Sequence, residues 1–316
     1  KVIQLSCFSS VVLDPVTGTF QPQSGQQTAF GLAPPSDINT ACAGEVGSTL
    51  INSPVKDMVR EGDRVLMIEG STLTIFDVSD PEQPLNTGGG VGLGPDPGGL
   101  TSHSGYAYVI DQTNNELQVV NISGFPSSGI ESTLALGATP LAIDYADGHV
   151  LITTQAQDLF IIDVSDASSP MVVGSLALGG FFPVTIDVQG DLVFIGSTAL
   201  GASLQVVDWS DPTNPAFAGP SFDLQSMNVK DLIVEGDYCY VLGYGTGIIR
   251  MLDISDPSSI SQAATTTVPA LASGIDKVGQ FLVVTNELTG ELYLVRIFFP
   301  GSGLSLEETY SVGTSL

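Results

Sequence analysis

Ile161-Ile162-Asp163-Val164-Ser165-Asp166 recurs with small changes as Ile75-Phe76-Asp77-Val78-Ser79-Asp80-Pro81, Val206-Val207-Asp208-Trp209-Ser210-Asp211-Pro212 and Met251-Leu252-Asp253-Ile254-Ser255-Asp256-Pro257. Fainter copies are Val119-Val120-Asn121-Ile122-Ser123-Gly124 and Leu294-Val295-Arg296-Ile297. The key positions 77, 121, 163, 208, 253 and 296 are 44, 42, 45, 45 and 43 residues apart. A fixed period of this size marks a repeat architecture. A second register runs through it. Gly62, Gly105, Gly148, Gly190, Gly236 and Gly279 each stand 15 to 18 residues before a key position and open an apolar run such as Leu192-Val193-Phe194-Ile195 or Tyr238-Cys239-Tyr240-Val241. Each unit therefore reads as a strand, a tight Gly turn, a β-branched and aromatic strand, a third strand ending in the Asp-x-Ser-Asp phrase, and a fourth strand. Four short strands per period are the pattern of a propeller blade.

The phrase has a structural explanation. Asp and Ser side chains accept hydrogen bonds from nearby backbone N–H groups and Pro presets φ, so the phrase ends one strand and turns the chain into the next. On this reading Asp77, Asp80, Asp163, Asp166, Asp208, Asp211, Asp253 and Asp256 are turn residues. No cofactor is expected. Calcium between the paired carboxylates is the one candidate, and the chain has neither an EF-hand loop nor a Gly-rich nonapeptide array to support it.

With "GDYCYVL" and "GDLVFIG" upstream of "VVDWSDPTNP" and "IIDVSDASSP", the chain resembles the LVIVD-repeat family of bacterial and archaeal propeller proteins over residues 55–316. The resemblance implies a secreted or surface-attached propeller, and implies location and shape more than chemistry. Asn121 and Gly124 replace the two Asp in the second unit, and Arg296 and Phe299 do so in the last.

The expected fold is all-β, a single propeller domain in which residues 55–316 form six repeats and residues 1–54 a diverged N-terminal blade, seven blades in all. The alternative is six blades with residues 1–54 as an arm that covers an edge or adds a strand to a neighbouring molecule. Composition agrees with an all-β chain. Of 316 residues 43% are hydrophobic, mean hydropathy is +0.30, and 36 Gly and 19 Pro would interrupt helices too often for a bundle. Acidic residues number 34 against 8 Lys+Arg, a formal net charge of −26, which repels nucleic-acid phosphates and anionic lipid. No transmembrane segment is read in this chain. Cys7 and Cys42 bracket a Pro/Gly/Ser/Gln-rich stretch, and a disulfide between them would contribute ~3 kcal/mol in the chain-entropy model. Cys239, inside a strand, reads as a buried thiol.

Candidate chemistry is sparse. His103 and His149 lie in different units with no third nitrogen ligand for zinc, and no G-x-S-x-G elbow is present. The run Gly88–Gly99 lacks the Gly-Lys-Ser/Thr ending and the helix of a phosphate loop, and reads as a link between blades. The sequon Asn121-Ile122-Ser123 sits in a turn phrase. The sharpest pair is Val55-Lys56-Asp57 and Val229-Lys230-Asp231, which repeat at the same place in their units. The first strand of each blade lines the channel, so Lys56, Asp57, Lys230 and Asp231 are candidate ligand residues at one mouth of it, and Asp144, Asp187 and Asp276 could add carboxylates. Local salt bridges and lysine stems over apolar surface are the structural alternative.

The expected function is a secreted or cell-surface module for binding, adhesion or assembly, without catalysis, whose partners are other surface proteins or copies of itself. One alternative is a metal-dependent hydrolase or lactonase-like enzyme with an acidic channel site. The other is a structural subunit of an extracellular polymer joined by strand addition.

Overall fold

The computed structural model describes residues 2–4, 11–13, 55–80, 83–88, 90–124, 129–198, 203–225, 227–286, 289, 291–298 and 303–311. Near the N-terminus, β1 (Val2–Gln4) pairs antiparallel with β2 (Val11–Leu13). Six antiparallel sheets follow in strict chain order. Blade 1 is β3 (Val55–Glu61), β4 (Arg64–Glu69), β5 (Thr72–Asp77) and a fourth edge split into β6 (Leu85–Asn86) and β7 (Val91–Gly92). Blade 2 is β8 (Pro97–His103), β9 (Tyr106–Asp111), β10 (Glu116–Asn121) and β11 (Gly129–Ala135). Blade 3 is β12 (Pro140–Ala146), β13 (His149–Thr154), β14 (Asp158–Asp163) and β15 (Met171–Ala177). Blade 4 is β16 (Phe182–Gln189), β17 (Leu192–Thr198), β18 (Ser203–Asp208) and the split edge β19 (Ala216–Phe217) and β20 (Phe222–Asp223). Blade 5 is β21 (Val229–Glu235), β22 (Tyr238–Gly243), β23 (Ile248–Asp253) and β24 (Ser261–Thr267). Blade 6 is β25 (Gly274–Val278), β26 (Phe281–Asn286), β27 (Glu291–Phe298) and β28 (Gly303–Ser311).

The propeller of four-stranded blades agrees with the repeat. The blade count does not: the described residues form six blades rather than seven. Residues 1–54 carry no copy of the turn phrase, and among the described residues β1 and β2 pair only with each other, so what is described of the segment is a two-stranded sheet and not a four-stranded blade. Cys7 and Cys42 lie outside the described residues.

The local chemistry behaves as the spacing predicts. In blades 2 and 3 the first turn has two residues at positive φ, Ser104 and Gly105 at 50° and 83° and Asp147 and Gly148 at 45° and 78°, as a type I′ hairpin requires. In the other four blades a lone Gly comes first, as a type II′ turn requires. That difference shifts the Gly by one residue relative to the inner strand. Each second strand lies between two neighbouring sheets, so its run is apolar on both faces: Val65, Leu66, Met67 and Ile68 are all 0–2% exposed. One apolar cluster fills each seam from blade 1 to blade 6, for example Leu66, Ile75, Val109 and Val120 between blades 1 and 2. Each such buried side chain contributes roughly 1.5–3 kcal/mol relative to exposure.

Candidate functional site

The inner strands β3, β8, β12, β16, β21 and β25 bring five carboxylates towards the axis. They lie on two levels. Asp231 pairs across its hairpin with Leu242, the fifth residue of β22, and Asp57 stands level with the corresponding part of β4. Asp144, Asp187 and Asp276 pair with Leu151, Phe194 and Val283, the third residues of their second strands.

Four of the five reach the next blade. The backbone N–H of Leu100 donates to Asp57 Oδ2 at 2.7 Å, that of Val188 to Asp144 Oδ2 at 2.9 Å, that of Val234 to Asp187 Oδ2 at 2.6 Å and that of Ile275 to Asp231 Oδ2 at 3.1 Å. The other oxygen of Asp57, Asp144 and Asp231 accepts the N–H of its own following residue, at 2.7–2.9 Å. Thr185 Oγ1 adds a bond to Asp231 Oδ1 at 3.2 Å. Gln189 continues the same link nearer the turns, accepting from Gly236 N–H at 2.7 Å and donating to Gly236 O at 2.9 Å.

Burial raises these carboxyls. Asp57 is pushed up to about 7, mainly by burial and slightly by the charge of Asp231, against the lowering effect of its two backbone hydrogen bonds. Asp187 is also raised to about 7, by burial and then by Asp144. Asp144 and Asp231 rise to about 6 for the same first reason, and Asp276 shifts upward as well. The turn-phrase carboxylates move the other way. Asp77, Asp163, Asp208 and Asp253 accept from the Ser two residues on, and Asp166, Asp211 and Asp256 from Ser168, Thr213 and Ser258, which holds all seven below the usual carboxylate range.

The two lysines singled out by the repeat turn to local partners. Lys56 Nζ lies 2.7 Å from Asp96 Oδ1, and Lys230 Nζ stands 5.9 Å over the Tyr244 ring. His103 stacks on Tyr145 at 4.3 Å, and His149 meets Trp209 edge-on at 5.6 Å. Asn121 Oδ1 accepts the N–H of Ser123 at 3.1 Å and its hydroxyl at 2.6 Å. Cys239 is a buried free thiol. Among the described residues no group of three or more His, Cys, Asp and Glu is placed to hold a metal ion, and no helix is long and apolar enough to cross a membrane.

One role of the turn phrase lies beyond the reach of the motif itself. The residue after its second Asp lands on the fourth strand of the preceding blade: Ser132 Oγ donates to Ala167 O at 2.6 Å. A Cβ added to Gly174 would lie 1.9 Å from Pro212 O, and one added to Gly219 would lie 2.3 Å from Pro257 O. Ser132, Gly174 and Gly219 each stand eleven residues after their own key position, a small-residue register that was present in the sequence. The blades are thus stitched twice, inside by Asp and outside by the phrase.

A model of the LVIVD repeat matches residues 103–133, 147–177, 185–221 and 228–266. The chain is an LVIVD-repeat propeller. Among solved structures this propeller is similar to a proposed 6-phosphogluconolactonase from Bacteroides fragilis, with a TM-score of 0.75 and 10% identity, covering 94% of each chain. It is similar to a protein from Lactobacillus plantarum, with a TM-score of 0.72 and 13% identity over 93% of this chain and 94% of that one. Hsv2 of Kluyveromyces lactis superposes with a TM-score of 0.65 and 11% identity over 86% and 90%. At such identities the likeness is one of fold. No curated protein matches the LVIVD-repeat propeller significantly in sequence.

Proposed function

We propose that this propeller is a secreted or cell-surface binding module that engages other proteins through its outer rim. The observation that carries the reading is a row of exposed apolar side chains at one register. Ile130, Val172, Phe217 and Leu306 pair with Val120, Ile162, Val207 and Val295, the residue before the key position in blades 2, 3, 4 and 6, and are 37–46% exposed. Beside that register Leu85 and Met171 are 63% and 57% exposed opposite Asp77 and Asp163. We read the recurrence of exposed apolar groups at one register in blades 2, 3, 4 and 6 as a contact surface. The phrase carboxylates fringe it, so the partner it suits has an apolar centre flanked by Lys and Arg.

Two other readings carry less. A metal-dependent enzyme would need the axial carboxylates for its ligand, whereas Asp57 and Asp231 already spend both oxygens on backbone N–H groups. A polymer joined by strand addition would need flat outer edges. The fourth strands of blades 2, 3, 5 and 6 each bulge at one place, and those of blades 1 and 4 are split, which twists or breaks the edge.

The test compares wild type with a Met171→Lys/Phe217→Lys variant in native capture from the cell surface, with surface proteolysis of intact cells for location. Loss of the captured partner at unchanged melting temperature is expected, with capture weakening as salt rises. Equal capture by both proteins, or protection from protease outside the cell, would overturn the proposal.

A further inference from the structure

Three residues before the key position, the third strand of each blade carries a buried side chain, and in five blades it is polar: Thr74, Gln118, Gln205, Arg250 and Tyr293, none more than 9% exposed. A polar group buried there needs a partner close by. In blades 2 and 6 the first residue of the same strand supplies it, because residues two apart on a strand share a face. Gln118 Nε2 donates to Glu116 Oε1 at 2.9 Å, and the Tyr293 hydroxyl donates to Glu291 Oε2 at 2.7 Å. In blade 4, Gln205 Nε2 donates to Gly219 O at 3.1 Å.

Blade 5 departs from this pattern. Its register holds a cation, Arg250, and the first residue of its third strand is Ile248, which has no carboxylate to lend. The guanidinium turns instead to two neutral amides: Nη1 donates to Gln262 Oε1 at 2.9 Å and Nη2 to Gln225 Oε1 at a long 3.4 Å. Nε is buried without a partner. A buried guanidinium is poorly compensated by neutral acceptors, and two of its five N–H groups are used here. Gln225 and Gln262 are exposed, so the charged end of Arg250 lies just beneath the surface. Because arginine only donates, each amide must turn its carbonyl to the guanidinium and keep its own NH2 group as a further donor. We propose that Arg250, with Gln225 and Gln262 at its rim, binds a carboxylate from outside the chain, in the role that Glu116 and Glu291 play within blades 2 and 6. The planar fork of arginine matches a carboxylate through two parallel N–H···O bonds. A doubly charged phosphate suits the place less well, since a single guanidinium would hold it on a chain of formal charge −26.

The Nε–H signal of Arg250 provides the probe, read by NMR in the full chain with isotopically labelled arginine and assigned through Arg250→Lys. Sodium acetate is titrated against sodium chloride at equal ionic strength, then N-acetyl-triglycine with a free C-terminus against the same peptide amidated. A saturable shift of the Arg250 signal is expected with a carboxylate and not with chloride or the amide. A response to acetate assigns a small carboxylate, a response to the free peptide alone assigns a chain terminus, and both support the site. Ile248→Glu places a carboxylate where blades 2 and 6 have theirs, so it is expected to shift the Arg250 signal without any addition and to abolish the response to acetate. No saturable shift with either carboxylate, or a shift that chloride or inorganic phosphate produces at lower concentration than acetate, overturns the proposal. The wild-type titrations decide this even if Ile248→Glu fails to fold. Failure here leaves the rim as a binding surface standing, because Arg250 is not among the exposed apolar groups that carry that reading.

Discussion

The seam between blades 2 and 3 and the seam between blades 5 and 6 use the same three positions with different chemistry. The last residue of the inner strand is His103 in blade 2 and Glu235 in blade 5, and the third residue of the second strand is Tyr108 or Tyr240. The facing residue on the next inner strand is Tyr145, opposite Val150, or Lys277, opposite Leu282. In the first seam these groups make a stack, His103 on Tyr145 at 4.3 Å and Tyr108 on Tyr145 at 5.7 Å. In the second, Lys277 makes an ion pair with Glu235, and the hydroxyl of Tyr240 is buried. The stack stands in the seam whose first blade has Gly99 and Thr101 where other inner strands carry Asp. A blade without a carboxylate to lend its neighbour is joined by ring contact instead.

Acidity separates the two seams most widely, because it acts on four carboxylate-latched seams together. A carboxyl that holds its proton more tightly folded than unfolded favours the folded state while protonated. For Asp57 and Asp187, raised from 3.8 to about 7, that contribution is complete below about 3.8 and is lost as pH rises through 7. Stability to denaturant is expected to fall between pH 4 and 7.5, and Asp187→Asn is expected to flatten the curve while Tyr145→Leu leaves its slope alone. A slope unchanged by Asp187→Asn would remove the carboxylate from the account.

Tyr145→Ala carries the next largest effect. It deletes both ring contacts from a seam with no axial Asp, for a loss of about 3 kcal/mol in a urea titration. A loss within experimental error of a surface substitution would show that the stack merely accompanies the apolar cluster around it. Gly174→Ala tests the outer stitch that both kinds of seam share in principle. Its Cβ would meet the carbonyl of Pro212, which belongs to a hydrogen-bonded turn and yields little, so a loss of about 2 kcal/mol is expected. Gly129→Ala, with open space around it, is the control.

These contrasts explain what was legible beforehand. The phrase and the Gly turns could be read because their chemistry is local: Asp163 bonds the residue two places on, and Gly190 satisfies a φ within its own turn. The partners of Tyr145 and Lys277 could not, since they depend on the angle at which one sheet meets the next and lie about forty residues away in sequence. Repetition placed Lys56 and Lys230 at equivalent positions and pointed to a shared role, whereas their side chains settle on Asp96 and Tyr244, neither of which repeats. The register of Ser132, Gly174 and Gly219 was visible but mute until the landing place of the phrase was known. The blade count failed because two apolar runs, Val2–Leu5 and Val11–Phe20, and the length of residues 1–54 were asked to supply four strands.

The ion pair yields the smallest and most discriminating prediction. Lys277 keeps only 8% of its side chain exposed while Glu235 keeps 61%, so the carboxylate is largely solvated and its Coulombic gain is screened. Removing the charge in Glu235→Gln leaves a buried ammonium with an amide for company, at a cost of about 1 kcal/mol. Lys277→Met with Glu235→Gln removes the uncompensated charge as well, and a well-packed apolar stem can replace the lysine's. The double variant is therefore expected to recover most of the loss and to lose the salt dependence of the single one. If instead Lys277→Met alone is as damaging as Tyr145→Ala, the two seams are held by comparable energies, and the ion pair is an equivalent of the stack rather than a weaker substitute.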